Sequence, residues 1–189
     1  MMILKCLVCE HVAEDFSENF RCIKCGGLLE YVLNLEEIRL SKFAGPFSFW
    51  RYRSFLPEVK ECLSLGEGGT PLHKAKRLAN QVGVDSLYFK DETRNPTNSF
   101  RDRCAALMIS HAFDVGSDSI VCATNGNLGA SLAAYSAKFG LSCHVIVPKN
   151  VDLGKLAQMM IYDAIIEECG EIVDDSLVKA EEIAKETGW

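Results

Sequence analysis

The chain has 189 residues, of which 48% are hydrophobic and 24% are charged, a balance typical of a globular domain with a small appendage and not of a disordered tail. The net charge of −6 argues against nucleic acid or an anionic membrane as partner, because both require a basic face. The sequence has no apolar run of about 18 residues and no leader pattern at MMILKCLVC. We therefore expect a cytoplasmic protein whose nine cysteines are mostly thiols or metal ligands.

Two CxxC pairs open the chain, Cys6 with Cys9 and Cys22 with Cys25. Each pair predicts a tight turn that presents two sulfurs on one side, and two such turns supply the four thiolates of a tetrahedral metal site. Residues 1–33 are therefore predicted to form a zinc ribbon, with iron in a rubredoxin-like site as the open alternative. Four cysteine ligands leave no coordination position for catalysis, so we expect a structural metal.

The next segment, residues 34–70, is predicted to contain a helix and an aromatic connector. Asn34 followed by LEEIRL has the pattern of a capped helix with carboxylates in its first turn. The connector PFSFWRYRSFLPE is expected to pack the ribbon against the larger domain, and an exposed aromatic interaction site is the alternative.

Residues 71–189 alternate between apolar strands and helical periodicity. Helices are predicted at 74–82, 100–115, 127–139, 152–162 and 175–187, and strands at 86–91, 119–123, 142–147 and 164–168. Short apolar runs that alternate with amphipathic helices predict an α/β fold, with a mostly parallel twisted sheet covered by helices on both faces.

Two polar segments precede helices of this predicted sheet. NPTNSFRDR, residues 95–103, leads into one helix, and TNGN, residues 124–127, leads into another. Ligands of such sheets bind where strands end and helices begin, because helix N-termini present free N–H groups. Ordinary capping explains one such junction, but two in one sheet favour a site for a small anion. Together the two segments offer hydroxyls, amides and backbone N–H groups to such an anion.

A glycine-rich loop, GEGGTPL, precedes these junctions and includes Thr70. It follows no predicted strand and lacks a terminal Lys-Ser/Thr pair, so it is neither a P-loop nor a dinucleotide-binding fingerprint. Taken alone it predicts only a turn.

Taken together, three ordered segments resemble the N-terminal half of the threonine synthase-like family, within the pyridoxal-phosphate-dependent enzymes of fold type II. They are GEGGTPL, DETRNPTNSFRDR and TNGNLGAS. Threonine synthase-like proteins also carry zinc-ribbon-like extensions. The resemblance implies a lyase of amino-acid biosynthesis that converts O-phosphohomoserine and water to threonine and phosphate.

The resemblance also implies roles for individual residues. The 95–103 block of the family carries the lysine that forms the Schiff base with pyridoxal phosphate, and Asn127 matches an asparagine beside the cofactor's ring hydroxyl. Phe100 is assigned to the cofactor as well. The substrate's carboxylate or phosphate is assigned to Ser99, Thr124, Asn125 and Gly126, with Thr70 in a loop that borders the same cleft.

One departure affects the chemistry directly, because Arg101 stands where the family has its lysine. Imine formation needs an amine that can lose its proton, whereas a guanidinium stays protonated. Leu128 is a second departure, at a position where relatives often carry a hydroxyl. The chain also ends about halfway through a family member, so we expect it to hold one wall of the site, to be inactive alone and to need a C-terminal half. A homodimer is a further expectation.

Several explanations of Arg101 remain open. The chain could be part of a split enzyme in which another lysine, such as Lys90 at the end of its predicted strand, forms the Schiff base. It could be a non-catalytic binder of a phosphorylated amino acid or a pyridoxal-phosphate-like anion, with Arg101 as a fixed cation. An engineered replacement and a sequence error are the remaining explanations, and an interaction protein that acts through its ribbon is a third functional class.

Overall fold

The computed structural model describes residues 2–13, 21–33, 43 and 45–189. The helix predicted from Asn34 lies outside these residues. The chain divides into two units, one comprising Met1–Pro46 and Trp50–Glu58 and the other comprising Phe47–Phe49 and Val59–Trp189. Within the described residues, none of the helices has the length and hydrophobicity needed to cross a membrane.

The first unit contains a three-stranded antiparallel sheet. Its strands are β1 (Met2–Cys6), β2 (Val12–Ala13) and β3 (Leu29–Leu33), in the order β2-β1-β3. Leu4 and Cys6 are buried, as expected for two residues on the same face of a strand. A 3-10 segment, Phe49–Phe55, contains part of the aromatic connector, and its first residue belongs to the second unit. The sheet places the first CxxC turn directly after β1.

The second unit begins with a short antiparallel pair that the sequence did not predict. Strand β4 (Leu72–Lys74) pairs with β5 (Tyr88–Lys90), and helix α1 (Lys76–Val82) connects them. Helix α1 ends at Gly83, whose φ of 75° is the left-handed conformation that favours glycine. The predicted strand at 86–91 therefore exists, but it pairs with β4 and lies outside the parallel sheet.

The remainder of the second unit is the predicted α/β body. A 3-10 turn (Glu92–Arg94) leads to α2 (Arg101–Asp114), and six further elements follow. These elements are β6 (Ser119–Ala123), α3 (Asn127–Phe139), β7 (Ser142–Val147), α4 (Leu153–Met160), β8 (Ile165–Glu168) and α5 (Val173–Thr187). Strands β6, β7 and β8 form a parallel sheet in that order, which confirms the predicted fold class.

Helices cover both faces of this parallel sheet. Val145 is fully buried, and its Cγ1 lies 3.0 Å from the point that a β-carbon on Gly129 of α3 would occupy. The ring of the adjacent His144 lies 4.1 Å, centroid to centroid, from the ring of Trp189 beyond α5. Successive side chains of a strand point to opposite faces, so α3 and the end of α5 lie on opposite sides of β7.

Gly129 permits close packing between α3, β7 and α4. A β-carbon at this position would lie 2.6 Å from Met159 Sδ and 2.7 Å from Thr124 Cγ2. These distances are too short for non-bonded contact, so the helix backbone approaches its neighbours more closely than an alanine permits. The approach fixes the start of α3 relative to the carboxyl end of β6.

We predict that Gly129→Ala destabilises the protein by about 1–2 kcal/mol. Overpacking of a core costs about 1–3 kcal/mol, and the better helix propensity of alanine offsets up to about 1 kcal/mol. Urea denaturation midpoints measure the change. Gly154→Ala is the matched control, because Gly154 is an exposed helix residue whose close neighbour is only the Asp152 carboxylate oxygen at 3.0 Å. Equal or higher stability of Gly129→Ala would contradict the packing argument.

Candidate functional site

The first polar junction lies where β6 ends and α3 begins. The backbone N–H of Thr124 donates to Ile146 O at 3.0 Å, which ties the junction to β7. The Thr124 hydroxyl accepts a hydrogen bond from the N–H of Gly126 at 3.1 Å. Gly126 precedes the first turn of α3, and no side chain caps that turn. Asn125 and Asn127 are exposed on either side of it.

A lysine that the sequence reasoning missed lies against this junction. Lys155, in the first turn of α4, donates a hydrogen bond from Nζ to Asn127 Oδ1. Its aliphatic stem passes close to Gly126, where a β-carbon would lie 3.2 Å from Lys155 Cγ. The sequence did contain a signal, because Lys155 follows the predicted strand 142–147 at the third strand-to-helix junction.

The second junction is the loop before α2, and hydrogen bonds to side chains of α2 and α3 fix its position. The N–H and hydroxyl of Thr97 donate to the buried Asp102 carboxylate at 2.7 Å and 2.6 Å. The hydroxyls of Thr97 and Ser131 on α3 lie 3.0 Å apart. Ser99 is buried, and its hydroxyl accepts the N–H of Arg101 at 3.2 Å. The loop is therefore anchored to both α2 and α3.

Arg101 and Lys90, the two candidates for the lysine's role, occupy different places. Arg101 is the first residue of α2, and its guanidinium carbon lies 4.8 Å from the ring centroid of exposed Phe100, a cation–π contact. Lys90 ends β5, and its Nζ donates to the carbonyl oxygen of Thr70. Across the described part of the chain, no hydrogen bond links either side chain to residues 124–127.

A paired carboxylate joins the glycine-rich loop to α2. Glu92 accepts two hydrogen bonds from Arg103, from Nε and Nη2, both at 2.8 Å. It also accepts the hydroxyl of Thr70 at 2.6 Å and the side-chain amide of Asn95 at 2.9 Å. These donors, chiefly Arg103, lower the pKa of Glu92 to about 2. The Thr70 hydroxyl is thus engaged within the protein.

A second carboxylate, Glu67, organises the glycine-rich loop from inside. Glu67 is fully buried and accepts hydrogen bonds from the hydroxyl of Ser64, the N–H of Leu65 and the hydroxyl of Tyr135. Burial, together with the bond to Glu67, raises the pKa of Tyr135. Tyr135 belongs to α3, so the loop is connected to the helix that begins at the first junction.

The four predicted metal ligands come together in the first unit. The Sγ atoms of Cys6, Cys9, Cys22 and Cys25 all lie within 4.8 Å of one another. Cys6 and Cys25 are separated by 3.5 Å between sulfurs, and Cys9 and Cys22 by 3.6 Å. A tetrahedral zinc with bonds of about 2.3 Å requires sulfurs about 3.8 Å apart, so these residues fit the metal.

Backbone N–H groups donate hydrogen bonds to two of these sulfurs. The N–H of Val8 donates to Cys6 Sγ and the N–H of Lys24 donates to Cys22 Sγ, each at 3.4 Å. Backbone N–H donation, first from Cys9, lowers the pKa of Cys6 to about 6. Thiolates are the species that bind metal, so the first turn favours the ligating form of Cys6. In the second turn, the N–H of Gly27 lowers the pKa of Cys25, but hydrogen bonds with the other cysteine sulfurs outweigh it and raise this pKa to about 12.

The sequence predicts that Asp102 and Arg103 anchor the start of α2, and both do so, through Thr97 and Glu92 and not through strands. The residues of the site that the sequence reasoning missed are Glu67, Glu92, Tyr135 and Lys155. The pair Glu92 and Asn95 carried a local signal, because residues three apart lie on one side of a helical turn. Tyr135 carried none, because its partner Glu67 is 68 residues away.

Known proteins resemble this chain in sequence and in fold. The family described as pyridoxal-phosphate dependent enzyme matches residues 63–189. Threonine synthase of Methanocaldococcus jannaschii is 39% identical over 195 residues, which cover 98% of this chain and 47% of that protein. Threonine synthase of Methanosarcina acetivorans is 37% identical over 182 residues, with coverages of 94% and 45%. The chain thus spans about half the length of these curated relatives.

Solved structures agree with these matches. A pyridoxal 5'-phosphate-dependent aspartate racemase is 29% identical with a TM-score of 0.58, covering 64% of this chain and 38% of the racemase. An O-ureido-L-serine synthase is 26% identical with a TM-score of 0.57, covering 64% of this chain and 39% of the synthase.

We predict that Arg103→Met raises the pKa of Glu92 towards its ordinary value of 4.5, since it removes the principal donor. Carboxyl NMR titration measures this shift. A carboxylate with a depressed pKa stabilises the fold above its unfolded pKa, and this stability is lost as pH falls through the folded pKa. In the parent the loss falls between about pH 4.5 and 2. The variant should lose the stability contributed by ionised Glu92 at a higher pH than the parent. At neutral pH its free energy of unfolding should be lower by about 1–3 kcal/mol.

The matched control is Lys149→Met, which removes the cation of the exposed pair between Lys149 and Glu171. This variant should leave the Glu92 titration unchanged and alter stability by less than about 1 kcal/mol. A Glu92 pKa that stays near 2 in Arg103→Met would show that the other donors suffice.

Proposed function

The chain belongs to the pyridoxal-phosphate-dependent enzyme family, and from this membership we propose that it forms part of a threonine synthase-like site. Pyridoxal phosphate and a phosphorylated amino acid, O-phosphohomoserine, bind at the carboxyl edge of the parallel sheet. The observation that carries this proposal is the 39% identity to a threonine synthase over 98% of the chain. When bound, pyridoxal phosphate supplies an aldehyde that takes up amino groups and a ring that withdraws electrons.

The hydroxyls at the two junctions suit an anionic ligand. Ser99 and Thr124 each accept a backbone N–H, from Arg101 and Gly126 respectively. A hydroxyl that accepts through its oxygen keeps its own proton for donation, so both can donate to a carboxylate or phosphate. The N–H groups in the first turn of α3 add the positive end of the helix dipole.

The remaining residues take complementary roles in the proposal. The amide of Asn127 faces the cofactor ring, and its oxygen is already occupied by Lys155, which leaves the NH₂ as donor. Asn125 is exposed and available to the substrate, and the Phe100 ring borders the cofactor. Thr70 shapes the edge of the cleft through its bond to Glu92.

Arg101 excludes Schiff-base formation at the position of the family's lysine. A guanidinium cannot form the Schiff base that the family's lysine forms, so we propose that the isolated chain does not convert O-phosphohomoserine. A segment that matches the second half of the relatives would complete the site, and a homodimer is the proposed assembly. A non-catalytic binder of a phosphorylated amino acid is the second candidate, favoured by the exposed cation of Arg101 beside Phe100.

We also propose that the cysteine cluster holds a structural zinc, with iron as the alternative. All four ligands are cysteines, so the metal stabilises the first unit and takes no part in catalysis. Thiolates need reducing surroundings, which is why we propose the cytoplasm as the compartment.

Arg101→Lys tests the cofactor site. We predict that this variant, mixed with pyridoxal phosphate and reduced with borohydride, carries a phosphopyridoxyl group on residue 101, because an amine then stands at the family position. Peptide mass mapping identifies the modified residue. Arg101→Met is the matched control and should show no modification there. A folded Arg101→Lys variant that carries no phosphopyridoxyl group at either junction would contradict the proposed cofactor position.

Cys25→Ser tests the metal site. We predict that the parent chain purifies with about one zinc and that this variant loses most of it, because three thiolates bind zinc much less tightly than four. Elemental analysis measures the metal. Cys62→Ser is the control, since Cys62 is exposed and outside the cluster. Iron in the parent would favour the rubredoxin-like site, and full zinc retention in Cys25→Ser would exclude the cluster as its ligand set.

A further inference from the structure

We propose that Lys155 is the amine that attaches pyridoxal phosphate covalently to this chain. The inference rests on the proposed function, because it requires the cofactor to bind at the carboxyl edge of the parallel sheet. Arg101 cannot react with the cofactor's aldehyde, so a covalent bond needs an amine from another position. Lys155 is distinguished by its location, by its contacts and by the charge of its partner.

The location of Lys155 is the strand-to-helix edge where ligands of parallel sheets bind. It lies in the first turn of α4, which follows β7, the central strand of the sheet. Its stem passes the backbone of Gly126, and its Nζ reaches Asn127 Oδ1 at the start of α3. The amino group is therefore held at the first polar junction.

Helix α4 also reaches the second junction. Gln158 lies three residues after Lys155, so the two side chains share one side of the helix. Gln158 Nε2 donates to Thr97 O at 3.2 Å, in the loop before α2. One side of α4 thus contacts both polar junctions. A ligand held by donors of the two junctions would meet the Lys155 amine.

The hydrogen-bond partner of Lys155 is a neutral amide. Within the described residues, its Nζ has one hydrogen-bond partner, the amide oxygen of Asn127, and no carboxylate within salt-bridge distance. An amide carries no net charge, so the described residues do not hold Lys155 in an ion pair. Lys149 shows the contrasting case, since its Nζ lies 2.6 Å from Glu171 Oε1 and this bond raises the pKa of Lys149.

Lys90 is the lysine that the sequence suggested, and its position fits the role less well. It ends β5 in the antiparallel pair, outside the parallel sheet. Its Nζ donates to the carbonyl oxygen of Thr70. To reach the first junction, Lys90 would have to leave that partner, whereas Lys155 already lies there.

The reaction is a condensation without oxidation or reduction. The lone pair of the neutral Lys155 amine attacks the aldehyde carbon of pyridoxal phosphate, so a C–N bond forms as the carbonyl π bond breaks. The aldehyde oxygen leaves as water with the two hydrogens of the amine nitrogen. A C=N bond between Lys155 and the cofactor remains, and release of the cofactor takes up one water.

The test uses the full chain with pyridoxal phosphate at equimolar concentration, followed by borohydride reduction and peptide mass mapping. The expected result is a phosphopyridoxyl group on Lys155 as the main product. The product is lost in Lys155→Met and retained in the controls Lys149→Met and Lys90→Met. The analogue 4'-deoxypyridoxine 5'-phosphate, which lacks the aldehyde, should compete and suppress the labelling of Lys155.

Lys155→Arg separates covalent attachment from folding and binding. Arginine keeps a cation and a donor for Asn127 but forms no imine, so this variant should bind the analogue in equilibrium dialysis and show no adduct. An adduct on Lys90, or labelling spread over surface lysines while the analogue binds, would overturn the inference and leave the proposed function standing. Failure of the parent chain to bind the analogue would overturn both.

Discussion

The ion pair between Glu92 and Arg103 is the interaction on which the candidate site depends. Its carboxylate receives donors from α2, from the glycine-rich loop through Thr70, and from the loop before α2 through Asn95. One helix and two loops therefore take their positions from one charged group. The pair is about three-quarters buried, so the loss of one partner leaves a desolvated charge, which costs more than an ordinary surface pair is worth.

Two further carboxylates also fix loops by accepting hydrogen bonds from them. Asp102 holds the N–H and hydroxyl of Thr97, and Glu67 holds the turn that follows Ser64. Buried loop backbone needs partners for its N–H groups, and carboxylates supply them where a sheet or helix cannot. Some polar groups at the two junctions are therefore left without a partner among the described residues. The proton of Ser99 and the amide NH₂ of Asn127 remain for a ligand.

The sequence predicted what depends on local pattern. The helices and strands from residue 74 onward lie within about two residues of their predicted bounds, because apolar periodicity is a local property. The spacing of two CxxC pairs likewise predicted four sulfurs in one cluster. The pairing of β5 with β4 escaped prediction, since three-residue strands carry little periodicity. The contacts of Glu67 with Tyr135 and of Lys155 with Asn127 join residues 68 and 28 positions apart, and no local pattern encodes them.

The family's lysine combines two properties, a positive charge and a nucleophilic amine, and on our proposal two residues of this chain divide them. Arg101 keeps the charge at the start of α2, held against Phe100, but not the reactivity. On our proposal Lys155 supplies the amine from α4. The same helix contacts the loop before α2, because Gln158 donates to Thr97 O. Because an arginine does not react with the aldehyde, it can bind a phosphate group as a permanent cation. Membership of the family therefore describes the fold, whereas the chemistry depends on which of these two side chains faces the aldehyde.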